Sequence, residues 1–171
     1  KTQKKEVLKK NDLLSNDYYL IVGRLIPDNN SKIIIEGFIK SNSKKKLVIV
    51  GDVPYTDKYS SDLKKLASKK IIFTGYIKCQ NELSQLYKNC FGYIHGHQFG
   101  GTNPTMINAL DINCQIIALD TVFNREMLKN KKVIFFKRNI LSIINSFIIF
   151  ESKIRKIESF NSKYKMPDKY S

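Results

Sequence analysis

The chain has 171 residues, 42% of them hydrophobic, enough for one domain with its own core, since a domain of this size buries roughly 70% of its unfolded surface. Its 30 basic and 15 acidic residues give a net charge of +15, which would attract nucleic acid, an anionic membrane or anionic small molecules without choosing among them. The short lysine runs (Lys4–Lys5, Lys44–Lys46, Lys69–Lys70, Lys131–Lys132) are spread over the whole length, which reads as a solvated surface, and no apolar run reaches the ~20 residues that would span a bilayer.

Apolar runs of four to six residues alternate with stretches of helical period, the pattern of βα units that build a parallel sheet. Tyr18–Val22 is the first predicted strand, ended by Gly23, and Ser31–Ser41 puts Ile34, Ile35, Phe38 and Ile39 on one helical face. Lys46–Val50 is the second strand, ended by Gly51-Asp52, and a charged helix from about Lys58 to Ala67 follows. Ile71–Thr74 is the third, ended by Gly75, with a short helix over Glu82–Asn89. Phe91–His95 is the fourth, and after the loop His97–Pro104 a helix opens at Thr105–Leu110. Gln115–Leu119 and Val133–Phe136 are the last two strands, with a short helix over Val122–Leu128 between them, and one long helix runs from Ile140 to about Ser159. The expected fold is therefore α/β, a Rossmann-like parallel sheet of about six strands with helices on both faces. Residues 1–16 read as a charged lead-in helix or linker, 17–159 as the domain and 160–171 as a loosely packed tail. The chain opens on Lys1 rather than a methionine, so it is read as a portion of something longer.

Five of these strands end in Gly or a short polar loop, and in doubly wound sheets ligands collect at the carboxyl ends of the strands. Val22-Gly23-Arg24-Leu25 sets an Arg over that edge. Guanidinium bonds phosphate oxygens in pairs, which suits a diphosphate, though a surface Arg after a turn would look the same. In His95–Thr105, two glycines and Thr-Asn-Pro run into a helix. Bare backbone N–H groups at a helix N-terminus make a ready anion site, and an ordinary glycine-rich connection with Pro104 in the first turn is the plainer alternative. His95 and His97 lie two apart and share a face of an extended segment. A metal site usually needs three or four protein ligands and no Cys or acidic partner is close, so one His is expected beneath the loop and the other bonded to ligand or backbone. Cys79, Cys90 and Cys114 lack Cys-x-x-Cys spacing and read as small buried residues in a reducing compartment. There is no Gly-x-Ser-x-Gly elbow. The aromatics Tyr18, Tyr19, Phe73, Tyr76, Phe91 and Tyr93 fall mostly in strand-like runs, as core or site wall rather than a base-stacking platform.

Taken in order, Val22-Gly23-Arg24-Leu25, Leu47-Val48-Ile49-Val50-Gly51-Asp52, Ile72-Phe73-Thr74-Gly75-Tyr76 and the segment Gly100–Leu110 resemble the C-terminal domain of the family-4 glycosyltransferases of the GT-B fold, over roughly Asp17 to Lys137. More narrowly, Tyr93-Ile94-His95-Gly96-His97, Gly100-Gly101-Thr102-Asn103-Pro104 and Phe123-Asn124-Arg125-Glu126 are similar to bacterial rhamnosyltransferases of capsule and O-antigen assembly. The resemblance implies a nucleotide-sugar-binding half of a retaining hexosyltransferase of polysaccharide biosynthesis, with dTDP-L-rhamnose the leading donor and no metal or other cofactor. It implies that a glycan or lipid-linked acceptor is held by an N-terminal domain absent from this chain, and that the chain alone is inactive. The location implied is cytoplasmic, at the inner face of a membrane with peripheral contact to it; nucleic acid is not an expected partner. Carried over residue by residue, Gly23, Arg24, Gly100 and Gly101 would hold the diphosphate, and His97, Gln98, Thr102 and Asn103 the donor sugar. Gly75, Tyr76 and Ile77 would meet the nucleobase and Asn108 the ribose, while no catalytic residue is assigned.

Three positions depart from the family's pattern. Asn29-Asn30 stand where it commonly has a Lys, and Gln98 and Asn108 stand where it has Glu. A short neutral arm at position 108 loosens a grip on two ribose hydroxyls. The alternative expectation is a degenerate, non-catalytic module that docks a partner, an anionic membrane or nucleic acid through its basic surface.

Overall fold

Runs of apolar and β-branched residues become strands here because both faces of the sheet are covered, so every position in a strand must tolerate burial. The computed structural model describes residues 6–99 and 103–163. Its strands are β1 (Tyr18–Val22), β2 (Lys46–Val50), β3 (Ile71–Gly75), β4 (Gly92–His95), β5 (Ile116–Leu119) and β6 (Ile134–Phe136). All pair in parallel, in the spatial order β3-β2-β1-β4-β5-β6. That is a Rossmann-like order, in the parallel sheet expected from the alternation of elements.

The helices are α1 (Glu6–Lys10), α2 (Ser31–Ser41), α3 (Lys58–Lys64), α4 (Gln80–Asn89), α5 (Pro104–Asp111), α6 (Val122–Met127) and α7 (Ile140–Lys163). Alternate strand residues feed two cores. On one face Tyr19, Ile21, Leu47, Ile49, Ile94 and Ile117 pack under Ile34, Ile35 and Phe38 of α2, Leu63 of α3, and Ile143, Phe147 and Phe150 of α7. On the other face Tyr18, Leu20, Val22, Val48, Tyr93 and Ala118 pack under Leu86 and Tyr87 of α4 and Met106 and Ala109 of α5. The aromatic side chains Phe38, Phe91, Phe147 and Phe150 surround the Tyr19 ring, at centroid distances of 4.9–6.2 Å.

Several boundaries differ from the expected ones. Helix α3 stops at Lys64, three residues early, and α4 starts at Gln80, two residues early, without a side-chain cap. Its first turn is polar and exposed, so no apolar periodicity marks it in the sequence. Val7 and Leu8 of α1, with Leu13, join the second core beside α4. Helix α7 continues to Lys163, and residues 1–5 and 164–171 lie outside the described residues. The cysteines correct the expectation of buried small residues, since Cys79 is exposed and Cys90 and Cys114 are only half-buried. Among the described residues no helix is long and apolar enough to cross a membrane.

Candidate functional site

The chain builds leftward from β1 to β2 and β3, then returns to start β4 on the other side of β1. Helices leave β1 and β4 toward opposite faces, which opens a crevice at the carboxyl ends of those two strands. Backbone approaches backbone closely there. Gly23 N donates to Val50 O (2.9 Å) and Gly51 N to Gly75 O (3.0 Å). Gly51 has φ 131°, and a Cβ on it would lie 1.8 Å from Gly23 O. A Cβ on Gly96 would lie 2.5 Å from Asn29 O.

The loop after β1 is held by asparagine amides. Asn29 Nδ2 donates to Arg24 O (2.8 Å), and the buried Asn30, left-handed at φ 59°, donates to Gly96 O (2.8 Å). Gln98 N donates in turn to Asp28 O (3.0 Å). Asn30 thus fastens the β1 loop to the β4 loop, while Asn29 braces the β1 loop itself. Arg24 stands exposed above this junction and forms no ion pair among the described residues.

Beneath it runs a chain of polar groups whose proton positions follow by elimination. Thr105 Oγ1 donates to Asn103 Oδ1 (2.7 Å), so it can only accept from Tyr93 OH (3.0 Å). The single phenolic proton is then spent, and His95 Nδ1 must donate to Tyr93 OH (2.9 Å). Asn103 Oδ1 also caps α5 by accepting from Thr105 N (3.1 Å), which turns Nδ2 toward His97 Nδ1. His97 therefore accepts at Nδ1 and carries its proton at Nε2, which faces the Val22 backbone and the Gly23 Cα. The two imidazoles stack with centroids 4.3 Å apart. Burial pushes the pKa of His97 down to about 4, opposed by its bond to the Val22 backbone and assisted by Arg24. Burial, with His97 next, pushes His95 down to about 3. Both rings are neutral at pH 7, so positive charge in the crevice comes from arginine.

The structure brings Gly23, Arg24, His97, Gln98 and Asn103 together. Gly100, Gly101 and Thr102 lie outside the described residues. Gly75 (φ 74°), the exposed Tyr76 and the half-buried Ile77 sit at the end of β3, two strands away from β1. Asn108 lines a groove of about 290 Å³ between α4 and α5, with Gln80, Asn81 and Ser84. Sequence reasoning missed two participants. Arg138, before α7, donates to Gln98 Oε1 (2.8 Å) and brings a second cation to the site. The buried Asn124 of α6 donates to Leu119 O (2.9 Å) and His97 O (3.4 Å). Among the described residues no group of three or more His, Cys, Asp or Glu side chains is placed to hold a metal.

An exposed arginine near enough to His97 to lower its pKa, with His97 in turn bonded to the Asn103 that caps α5, is an arrangement that can hold a phosphate-bearing ligand. Comparison with known proteins agrees with this chemistry. The family described as glycosyl transferases group 1 matches residues 3–167. Among solved structures, HepE of Anabaena in complex with UDP and glucose is similar at a TM-score of 0.74 and 13% identity, over 92% of this chain and 44% of HepE. A glycosyltransferase of Rickettsia africae ESF-5 is similar at 0.75 and 16%, over 89% and 42%. The C-terminal domain of LpcC, a group 1 glycosyl transferase family protein of Francisella tularensis, is similar at 0.68 and 17%, over 89% and 84%. At these identities the likeness is one of fold, and the chain spans less than half the length of the first two. No curated protein matches it.

Proposed function

The chain belongs to the group 1 glycosyl transferases, and on that premise we propose that it is the donor-binding half of a two-domain GT-B transferase, with the donor diphosphate over the crevice between β1 and β4. The observation that carries this reading is Arg24, exposed beside the contact between Gly23 and Gly51 and close to His97, whose partner Asn103 caps α5. HepE has been seen with UDP and with UDP-glucose, which supports a nucleoside-diphosphate sugar as the ligand. The nucleobase lies against Gly75, Tyr76 and Ile77, the ribose near Asn108, and the sugar reaches toward His97, Gln98 and Asn103. Gly100 and Gly101 are proposed to bind the diphosphate and Thr102 the sugar. Arg24, Arg138 and the first N–H groups of α5 stabilise the charge of the departing diphosphate without a metal.

The donor proposed is dTDP-L-rhamnose or a related hexose nucleotide, transferred with retention to a glycan or lipid-linked acceptor on a second domain. The enzyme works at the cytoplasmic side of a membrane, with its basic surface toward anionic lipid. This chain by itself is expected to bind donor and not to turn it over. Calorimetric titration of UDP, dTDP and GDP into the chain tests the reading. Arg24→Ala is expected to weaken nucleoside-diphosphate binding by on the order of 1.5–3 kcal/mol, the size of a charge-assisted hydrogen bond. Unchanged affinity in that variant would remove Arg24 from the site.

A further inference from the structure

Two cysteines that lie 24 positions apart in the chain meet at the amino ends of neighbouring strands, the edge of the sheet opposite the crevice. Cys90 ends α4 just before β4, and Cys114 lies just before β5. Both side chains pack at the fringe of the second core, on the same face of the sheet.

Both thiols reach one acceptor. Cys90 Sγ lies 3.2 Å and Cys114 Sγ 3.4 Å from the carbonyl oxygen of Tyr87. Each is half-buried, and both line a surface depression of about 290 Å³ beside Lys88 and Asn113, so a small oxidant can reach them.

We propose that Cys90 and Cys114 form a dithiol site that peroxide or a small-molecule disulfide converts to an intramolecular disulfide. The bridge would close a loop that contains β4, both histidines, the Asn103 cap and α5. With hydrogen peroxide, the Cys114 thiolate attacks one oxygen, the O–O bond breaks, and hydroxide leaves and takes up a proton as water, which gives a sulfenic acid. Cys90 sulfur then attacks Cys114 sulfur, the S–O bond breaks, and the second water leaves with the Cys90 proton. Two thiols and one peroxide become one disulfide and two waters, with two electrons passing from sulfur to oxygen. The pair suits this order of events, since Cys90 as neighbour lowers the Cys114 pKa while Cys114 and burial raise that of Cys90. The lower-pKa thiol is the attacking one.

The test uses the reduced chain, treated with hydrogen peroxide or oxidised glutathione, then alkylated, digested and weighed. Expected is a monomer two hydrogens lighter, with one alkylated cysteine, Cys79, and a peptide linking Cys90 to Cys114. Cys79→Ser is expected to leave the bridge intact, and Cys90→Ser and Cys114→Ser to abolish it. The oxidised wild type is expected to melt about 5 °C above the reduced form, because the closed loop restricts the unfolded chain. In the wild-type chain, a bridge to Cys79, a Cys79-linked dimer, a sulfenic acid that never resolves, or three free thiols would each overturn the proposal. None of these outcomes depends on whether the chain binds a nucleotide.

Discussion

Lowering the pH from 7 to 5 is expected to remove about 4 kcal/mol of folding stability, on top of any change that the unfolded chain's other groups impose. The cause is the polar chain under the crevice. His95 and His97 have folded-state pKa values of about 3 and about 4, while an unfolded histidine titrates near 6.5. The folded pKa is depressed, so between these values the unfolded state binds protons that the folded state refuses, and stability rises with pH. The contribution is complete above about pH 6.5 and is lost as the pH falls from there toward 4. At 1.36 kcal/mol per unit, each ring gives up roughly 2 kcal/mol by pH 5. Against a total of roughly 5–15 kcal/mol this is a large fraction. The lowered pKa values of Asp52, Asp57 and Asp120 also favour the folded state at higher pH, but they act below their ordinary value of 3.8 and leave this window to the histidines. Urea unfolding at steps between pH 7.5 and 4.5 measures the slope. His97→Gln, which cannot take up a proton, is expected to flatten it by about half. A wild-type stability unchanged from pH 7 to 5 would mean that the two rings are not held neutral by burial.

Gly51→Ala is expected to cost on the order of 4 kcal/mol or more, enough to unfold much of the population. The residue sits at φ 131°, a backbone region that L side chains rarely adopt, and its added Cβ would meet the Gly23 carbonyl at 1.8 Å. The obstacle is backbone, so no rotamer change relieves it. β1 and β2 would have to part beyond Val22 and Val50, and the bonds from Gly23 to Val50 and from Gly51 to Gly75 would go with them. Gly75→Ala is the control, since Gly75 also has positive φ (74°) but nothing lies within 4 Å of its added Cβ. Only conformational strain remains there, roughly 1–2 kcal/mol. Thermal melting of both variants separates the terms. Equal losses would show that the contact at Gly23 does not shape the crevice.

Much of this fold could be read from the chain. Tyr18–Val22, Ser31–Ser41 and Lys46–Val50 come out as expected, because a continuous apolar run ended by glycine and a clean helical stripe are local signals. Local signals fade at polar ends, which is why α4 starts before, and α7 ends after, the expected residue. The candidate site was legible as a place, because Gly23, Arg24 and His97 each follow the carboxyl end of a predicted strand. Its wiring was not. Asn30 reaches Gly96 across 66 positions, Arg138 reaches Gln98 across 40, and Asn124 reaches His97 across 27. Nothing in residue spacing announces such contacts. Cys90 and Cys114 make the same point, since they meet only where both thiols reach the Tyr87 carbonyl.

The central claim is the place of the ligand, and amide NMR of the isotopically labelled chain titrated with UDP, dTDP and GDP tests it most directly. The account predicts saturable shifts for at least one nucleotide, centred on Gly23–Asn30, Gly96–Gln98 and Asn103–Thr105, with a weaker set near Gly75–Ile77. Shifts confined to the opposite edge of the sheet around Cys90 and Cys114, or none with any of the three, would contradict it.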